Sequence, residues 1–225
     1  VADAIQAFAF ETQEALESAA ASLIRDTLKQ VRSTPSALFL SGGNTPREIY
    51  RRIQADPCDV ESNVYIGYAD ERHVPPDSPE SNYGMTRDML KALRFPNARI
   101  LCVETEHVLQ EAAFAYHETL TAFFDQGGSI SLGILGIGAD GHTCSLFTED
   151  DLRHEPGQLA IPVVRGDGLN RVSVTPELLQ RMEQIVILAA GAEKADVAEI
   201  LLTEPEALIA GQALAGCPNV HLWIA

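Results

Sequence analysis

The stretch Ile130-Ser-Leu-Gly-Ile-Leu-Gly-Ile-Gly-Ala-Asp-Gly-His-Thr-Cys-Ser-Leu-Phe147 constrains this chain more than any other. An apolar run breaks into a glycine-punctuated loop that carries an acid and a histidine. From Ser131 to Ile137 the run is continuous rather than alternating, which suits a strand covered on both faces of a parallel sheet. Gly138 to His142 then form a loop at the carboxyl end of that strand, where open α/β sheets place their ligands. Asp140, two residues before His142, is spaced to hold the imidazole in one tautomer and raise its basicity. The same spacing also suits an Asx-turn at Asp140, with His142 capping a following helix. Both readings stand at this stage.

Gly136-Ile-Gly138-Ala-Asp-Gly141 also matches a dinucleotide fingerprint, but its context is wrong. Asp140 would set a carboxylate beside the pyrophosphate, and the segment that follows carries Glu149, Asp150, Asp151 and Pro156 where a long phosphate-facing helix is needed. Asp167, in a Gly-Asp-Gly turn, is no substitute for the acidic residue expected at the end of a second strand.

A second motif, Ala37-Leu-Phe-Leu-Ser41 followed by Gly42-Gly-Asn-Thr-Pro46, reads as strand, tight turn and helix. Thr45 is the expected N-cap, Pro46 the first helical residue and Glu48 the closing member of a capping box. The free backbone N–H groups and the helix dipole would attract an anion, although an ordinary strand-to-helix connection has the same outline. It is not a Walker loop, because no lysine follows the glycines. A third candidate strand, Asn63 to Ala69, delivers Asp70-Glu-Arg-His73, and Val74-Pro75-Pro76 stiffens the chain just beyond.

The chain has 225 residues and a formal charge of −16, with only 16 Lys and Arg. That balance argues against a nucleic-acid partner, which needs a basic stripe. An anionic ligand would instead require local gathering of the few cations, so Arg72, Arg171 and Lys194 are followed below. Lys194 falls near a helix start, where its charge opposes the dipole; that suits a bound anion, and equally a lysine that simply faces solvent. No apolar run approaches the length of a membrane span. The amino terminus lacks a basic region followed by an apolar stretch, so no secretory signal is expected. Cys58, Cys102, Cys144 and Cys217 are widely spaced, which fits free thiols and a cytoplasmic location. One domain over 1–225 is expected.

The remaining chain reads as scaffold. An edge strand is expected over Ala4 to Phe10, and amphipathic helices over Glu11 to Val31, from Ser81 as cap to about Leu93, and over Glu106 to Gln126. Further strands are expected over Arg99 to Val103, Arg171 to Thr175, Gln184 to Ala190 and Asn219 to Ile224. A helix opens at Pro176, and another runs from Gly191 to about Leu202. Leu152 to Asn170, rich in Gly and Pro, reads as irregular: a flap over the site or a surface excursion.

Taken together, Ser41-Gly-Gly-Asn-Thr-Pro46, Asp70-Glu-Arg72 with Ser81-Asn82-Tyr83, and Gly136 to Phe147 closely resemble the 6-phosphogluconolactonase family in order and spacing. That family resembles in turn the glucosamine-6-phosphate deaminase/isomerases. The resemblance implies a Rossmann-like three-layer α/β sandwich with a mostly parallel central sheet and a sugar-phosphate site at the strand ends. The deaminases carry a glutamate five residues after the loop histidine, where this chain has Phe147, and a Tyr in the place of Arg72. Both differences favour the lactonase. The family usually has Pro after Ser-Leu-Phe, and this chain has Thr148.

Lactone hydrolysis needs a water, a base and donors for the developing oxyanion. No Gly-x-Ser-x-Gly elbow and no His-Glu-x-x-His cluster is present, so neither an acyl-enzyme nor a metal or other cofactor is expected. The expected base is His142, oriented by Asp140, with Arg72 polarising the carbonyl. By resemblance, Gly42, Gly43, Asn44 and Thr45, with Arg171 and Lys194, would hold the phosphate, while Asp70 touches sugar hydroxyls or orients Arg72. The expected partner is thus a small anionic sugar phosphate, bound by a monomer or small homo-oligomer. The alternatives are an isomerase or deaminase of the glucosamine-6-phosphate type and a non-catalytic sensor.

Overall fold

A computed structural model describes residues 5–225. Its centre is a seven-stranded sheet in the order β1-β10-β9-β6-β2-β3-β5, with every pairing parallel. In chain order these strands are β1 (Gln6–Ala9), β2 (Ser36–Leu40), β3 (Val64–Tyr68), β5 (Ile100–Leu101), β6 (Ser129–Gly136), β9 (Ile185–Ala189) and β10 (Val220–Ile224). Ala4, at the start of the expected edge strand, lies outside the described residues.

The central strands are apolar throughout because helices cover both faces. Along β2, Ala37 and Phe39 point into one core while Leu38 and Leu40 point into the other, and all four are fully buried. On one face lie α1 (Gln13–Lys29), α2 (Asn44–Ala55) and α3 (Asn82–Ala92). On the other lie α4 (Leu109–Asp125), α5 (Pro176–Gln180), α6 (Ala195–Thr203) and α7 (Ile209–Ala213). The caps follow local chemistry: Thr12, Ser81 and Thr175 each accept a backbone N–H from the first turn of α1, α3 and α5. None of the helices described is long and apolar enough to cross a membrane.

Several expectations are corrected. Val31 stands outside α1 and is exposed, since the helix ends at Lys29. α2 starts at Asn44 rather than Pro46: Gly43, at φ +115°, is its N-cap, and no side chain caps it. The glycine turns the chain two residues earlier than a Thr45 cap allows. Asp70–Arg72, read only as the charged exit of β3, forms a strand of its own, β4, and the stretch expected to be irregular contains β7 (Ala160–Val163). With β8 (Arg171–Val174) they form a second, antiparallel sheet in the order β4-β8-β7. Pro162 and the surrounding glycines hide β7 from a pattern reading, because Pro is an unusual strand residue. The small sheet packs against α4 and carries Asp70 and Arg72 to the cleft.

β2 and β6 are neighbours, yet the chain leaves β2 toward β3 on one side and β6 toward β9 on the other. The carboxyl ends of β2 and β6 are therefore the topological switch point, where a crevice opens in a sheet of this kind.

Candidate active site

Ser41 to Pro46 follow β2, Gly136 ends β6 and Ile137, Gly138 and His142 follow it, and both segments line one open cleft of about 310 Å3. Asp70 and Arg72 from β4, Cys144, Leu188, Ala190, Glu193 and Lys194 complete its wall. The sequence-marked residues Gly42, Gly43, Asn44, Thr45, Asp70, Arg72, His142 and Lys194 are thus brought together at the switch point.

The loop after β6 is shaped by backbone bonds. Gly138 N–H donates to the His142 carbonyl at 2.8 Å, Gly141 N–H to Gly138 at 3.0 Å, and Gly141, at φ +82°, accepts from Ala210 N–H at 2.8 Å. This turn lays the Asp140 carboxylate against the imidazole, with Oδ1 2.5 Å from Nδ1. A Cβ on Gly138 would lie 2.1 Å from Nδ1 and 2.3 Å from that oxygen, so only glycine leaves room for the pair. The Asp140–imidazole contact and the Asx-turn are both present, the latter through His142 N–H to Asp140 Oδ1 at 3.4 Å, whereas helix capping by His142 is not, because a turn rather than a helix follows it. Burial raises the Asp140 pKa, but the hydrogen bond and charge of His142 outweigh it and hold the carboxyl below its ordinary range. A proton on Nδ1, donated to Asp140, is the tautomer that leaves Nε2 the lone pair of a base. Asp140 itself stands behind the imidazole, outside the cleft lining. The Phe147 ring packs on the imidazole at 4.3 Å between centroids.

At the other end of the cleft, the first N–H groups of α2 have no intrahelical acceptor, and no side chain caps them. They face a crevice in a helix dipole's positive field, an arrangement suited to a phosphate. Lys194 ends a 3-10 turn, Ala192–Lys194, just before α6, and no carboxylate lies within ion-pair distance of it among the described residues. Glu193 shares that wall.

Asp70 bonds within the wall through both oxygens: Oδ1 accepts from Asn82 Nδ2 at 3.0 Å and Oδ2 from the Ser145 hydroxyl at 2.6 Å. A Cβ on Gly42 would lie 1.9 Å from the Asn82 amide oxygen. Gly42, Asn82, Asp70 and Ser145 thus tie the three sequence motifs into one contact. Glu71, buried beside them, accepts from the backbone N–H groups of Arg72, Asn82 and Tyr83 and from Ser81 Oγ, and so fixes the start of α3 to β4. Burial pushes its carboxyl pKa up despite those donors. Arg72 Nη1 donates to the Glu80 carbonyl at 2.8 Å and lies 3.8 Å from the Glu80 carboxylate, and its Nε is buried with no hydrogen-bond partner among the described residues; the side chain still lines the cleft.

Arg171 lies opposite Arg72 in the β4–β8 pairing but does not line the cleft. It donates to the carbonyls of Leu169 and Asn170. Its pKa is pushed down by burial first and then by the Arg72 charge.

The chain matches the family model for glucosamine-6-phosphate isomerases/6-phosphogluconolactonase over residues 11–216. It belongs to that family. Among its relatives, human 6-phosphogluconolactonase is 34% identical over 181 residues, covering 76% of this chain and 69% of the human protein. The 6-phosphogluconolactonase of Synechocystis is 36% identical, over 70% and 67% of the two chains. The crystal structure of a 6-phosphogluconolactonase from Shewanella baltica superposes with a TM-score of 0.81 at 27% identity, covering 98% of each chain. A monomeric glucosamine-6-phosphate deaminase superposes with a TM-score of 0.78 at 20% identity. Within the glucosamine-6-phosphate isomerase/6-phosphogluconolactonase family, fold alone therefore does not separate the activities.

The side chains that a reading of motifs did not mark as site residues are the supports. Asn82 and Ser145 were visible only as motif members, Glu71 as one of a charged run. Arg165 carried no signal at all; its guanidinium lies 3.7 Å from the centre of the Phe147 ring.

Proposed function

We propose that this chain is a 6-phosphogluconolactonase, hydrolysing 6-phospho-D-glucono-1,5-lactone to 6-phosphogluconate. The observation that carries the reading is a single cleft with an uncapped helix N-terminus at one end and the Asp140–His142 pair at the other. The two curated relatives described above, each more than 30% identical, support the same substrate. Phe147, packed on the imidazole, occupies the place where a deaminase needs its glutamate.

In this reading the phosphate rests on the N–H groups of Gly42, Gly43, Asn44 and Thr45, with Lys194 adding a charge-assisted bond. Nε2 of neutral His142 takes a proton from water as the oxygen attacks C1. Asp140, already ionised, stabilises the imidazolium that forms. Arg72 faces the carbonyl oxygen and steadies the oxyanion with a charge that does not titrate. Collapse of the tetrahedral intermediate breaks the C1–ring oxygen bond, and His142 returns its proton to the departing oxygen. Arg171 contributes field from behind Arg72 rather than a contact, and Asp70 holds the wall in place. The four cysteines, all free, agree with a cytoplasmic setting.

The test is proton release at constant neutral pH from freshly prepared 6-phosphogluconolactone, with the spontaneous rate subtracted. Acceleration supports the proposal. A rate equal to the blank, with turnover of glucosamine 6-phosphate, would replace it by the deaminase reading. Blanks on both would leave a sugar-phosphate sensor.

A further inference from the structure

His142 is held at one atom by Asp140, and that partner is itself well exposed, with 63% of its side chain open to solvent. One hydrogen bond fixes the position of Nδ1 but not the plane of the ring, and it is the plane that aims Nε2. The face of the imidazole is set by Phe147, whose ring packs on it. Phe147 is in turn only half-buried, packed at the edge of the core, with its backbone N–H pinned by Asp151 Oδ2 at 2.9 Å. What lies against the ring is Arg165.

Arg165 comes from the exposed loop after β7, where neighbouring Val164 is 72% exposed. Its side chain reaches back from that loop to put its guanidinium 3.7 Å from the Phe147 centroid, and its Nε is buried with no hydrogen-bond partner among the described residues. The one carboxylate near it, Asp167, is 3.5 Å from Nη2 and belongs to the same loop. Asn170 Oδ1 accepts the Arg165 backbone N–H at 3.1 Å and so closes the loop beneath it. An arginine in a solvent-exposed loop that leaves Nε unbonded in order to lie on an aromatic ring is held there by the ring's π face.

We infer that Arg165 is a positioning residue for the reaction: through its stack on Phe147 it fixes the plane of the His142 imidazole, so that Nε2 points at the water. The inference rests on the lactonase reading for its kinetic part but not for its structural part. Arg165 does not line the cleft and need not touch substrate. Losing it should lower the rate of the chemical step and leave binding alone.

The experiment compares the wild type with Arg165→Met, which keeps length and bulk, and Arg165→Lys, which keeps a cation over the ring. Two quantities are read: kcat and KM for the lactone, and the NMR resonances of the His142 ring C–H groups, assigned by their loss in His142→Ala. Arg165→Met is expected to lower kcat about tenfold with KM within about twofold of wild type. It should also move the His142 resonances as the Phe147 ring current shifts, and Arg165→Lys should restore most of both. Wild-type kcat in Arg165→Met would overturn the inference. So would a rise in KM with unmoved His142 resonances, which would make Arg165 a substrate contact. If the wild type hydrolyses no lactone, the lactonase reading fails, yet the resonances still decide whether Arg165 sets the imidazole.

Discussion

The Ser145 hydroxyl donates to Oδ2 of Asp70 at 2.6 Å, joining the loop after β6 to the small second sheet across 75 positions of chain. Both residues are buried, and the other carboxylate oxygen is taken by Asn82. Asp70 is thereby a strut of the cleft wall whose charge is compensated by neutral donors. Ser145→Ala leaves Oδ2 buried without that donor, a loss of about 1–3 kcal/mol. In a chain of this length Tm should fall by about 2–4 °C for each kcal/mol, as read by calorimetry. An unchanged Tm would show that the bond contributes nothing to holding the sheets together.

Asp140→Asn removes the acceptor that selects the imidazole tautomer. An amide NH2 at this site favours the tautomer with its proton on Nε2, which is no base. The expected loss in kcat is on the order of 10²- to 10⁴-fold, with little change in KM. In the wild type the hydrogen bond and charge of His142 outweigh burial and keep the Asp140 carboxyl below its ordinary value, so the acceptor is a carboxylate at neutral pH.

Lys194→Met tests the phosphate end separately. A charge-assisted bond to phosphate contributes about 1.5–3 kcal/mol, so KM should rise by about tenfold to a hundredfold while kcat changes little. The effect should shrink as salt screens the remaining cations. A kcat loss without a KM change would move Lys194 from binding to chemistry.

Glu71→Gln replaces one carboxylate oxygen by a donor that faces backbone N–H groups already pointing at it. Folding should weaken by about 1–3 kcal/mol. Because burial raises the Glu71 pKa in the folded state, folding favours the protonated form. Its contribution is complete below the unfolded-state value and is lost as pH rises through the folded one. The stability difference between wild type and Glu71→Gln should accordingly narrow as pH rises across the weakly acidic range, measured by urea unfolding at each pH.

The parallel sheet and the location of the cleft were legible because strands buried on both faces leave continuous apolar runs, and because Gly-rich loops mark their carboxyl ends. The second sheet was not. β4 reads as four titratable residues in a row, and β7 contains Pro162; neither shows alternation, since each is a short strand placed by tertiary contact. The start of α2 lies two residues before the expected one because Pro46 favours a helix start so strongly that Gly43's positive φ leaves no comparable local signal. The chemical pair Asp140 and His142 shows in sequence because its spacing is local. Ser145 with Asp70, and Arg165 with Phe147, are pairings made by the fold, and no local pattern announces them. Arg171 shows the converse: its charge drew attention, but its position on β8 turns its guanidinium to the carbonyls of its own loop.

The central claim is that Nε2 of His142 is the base. Its most direct test is the initial rate of proton release from 6-phosphogluconolactone by His142→Ala, measured beside the affinity of the same variant for 6-phosphogluconate. With Nε2 as the base, the rate falls to the spontaneous background while product affinity stays near that of the wild type. A variant that still hydrolyses the lactone within about tenfold of the wild-type rate, more than removal of an essential base allows, would contradict it.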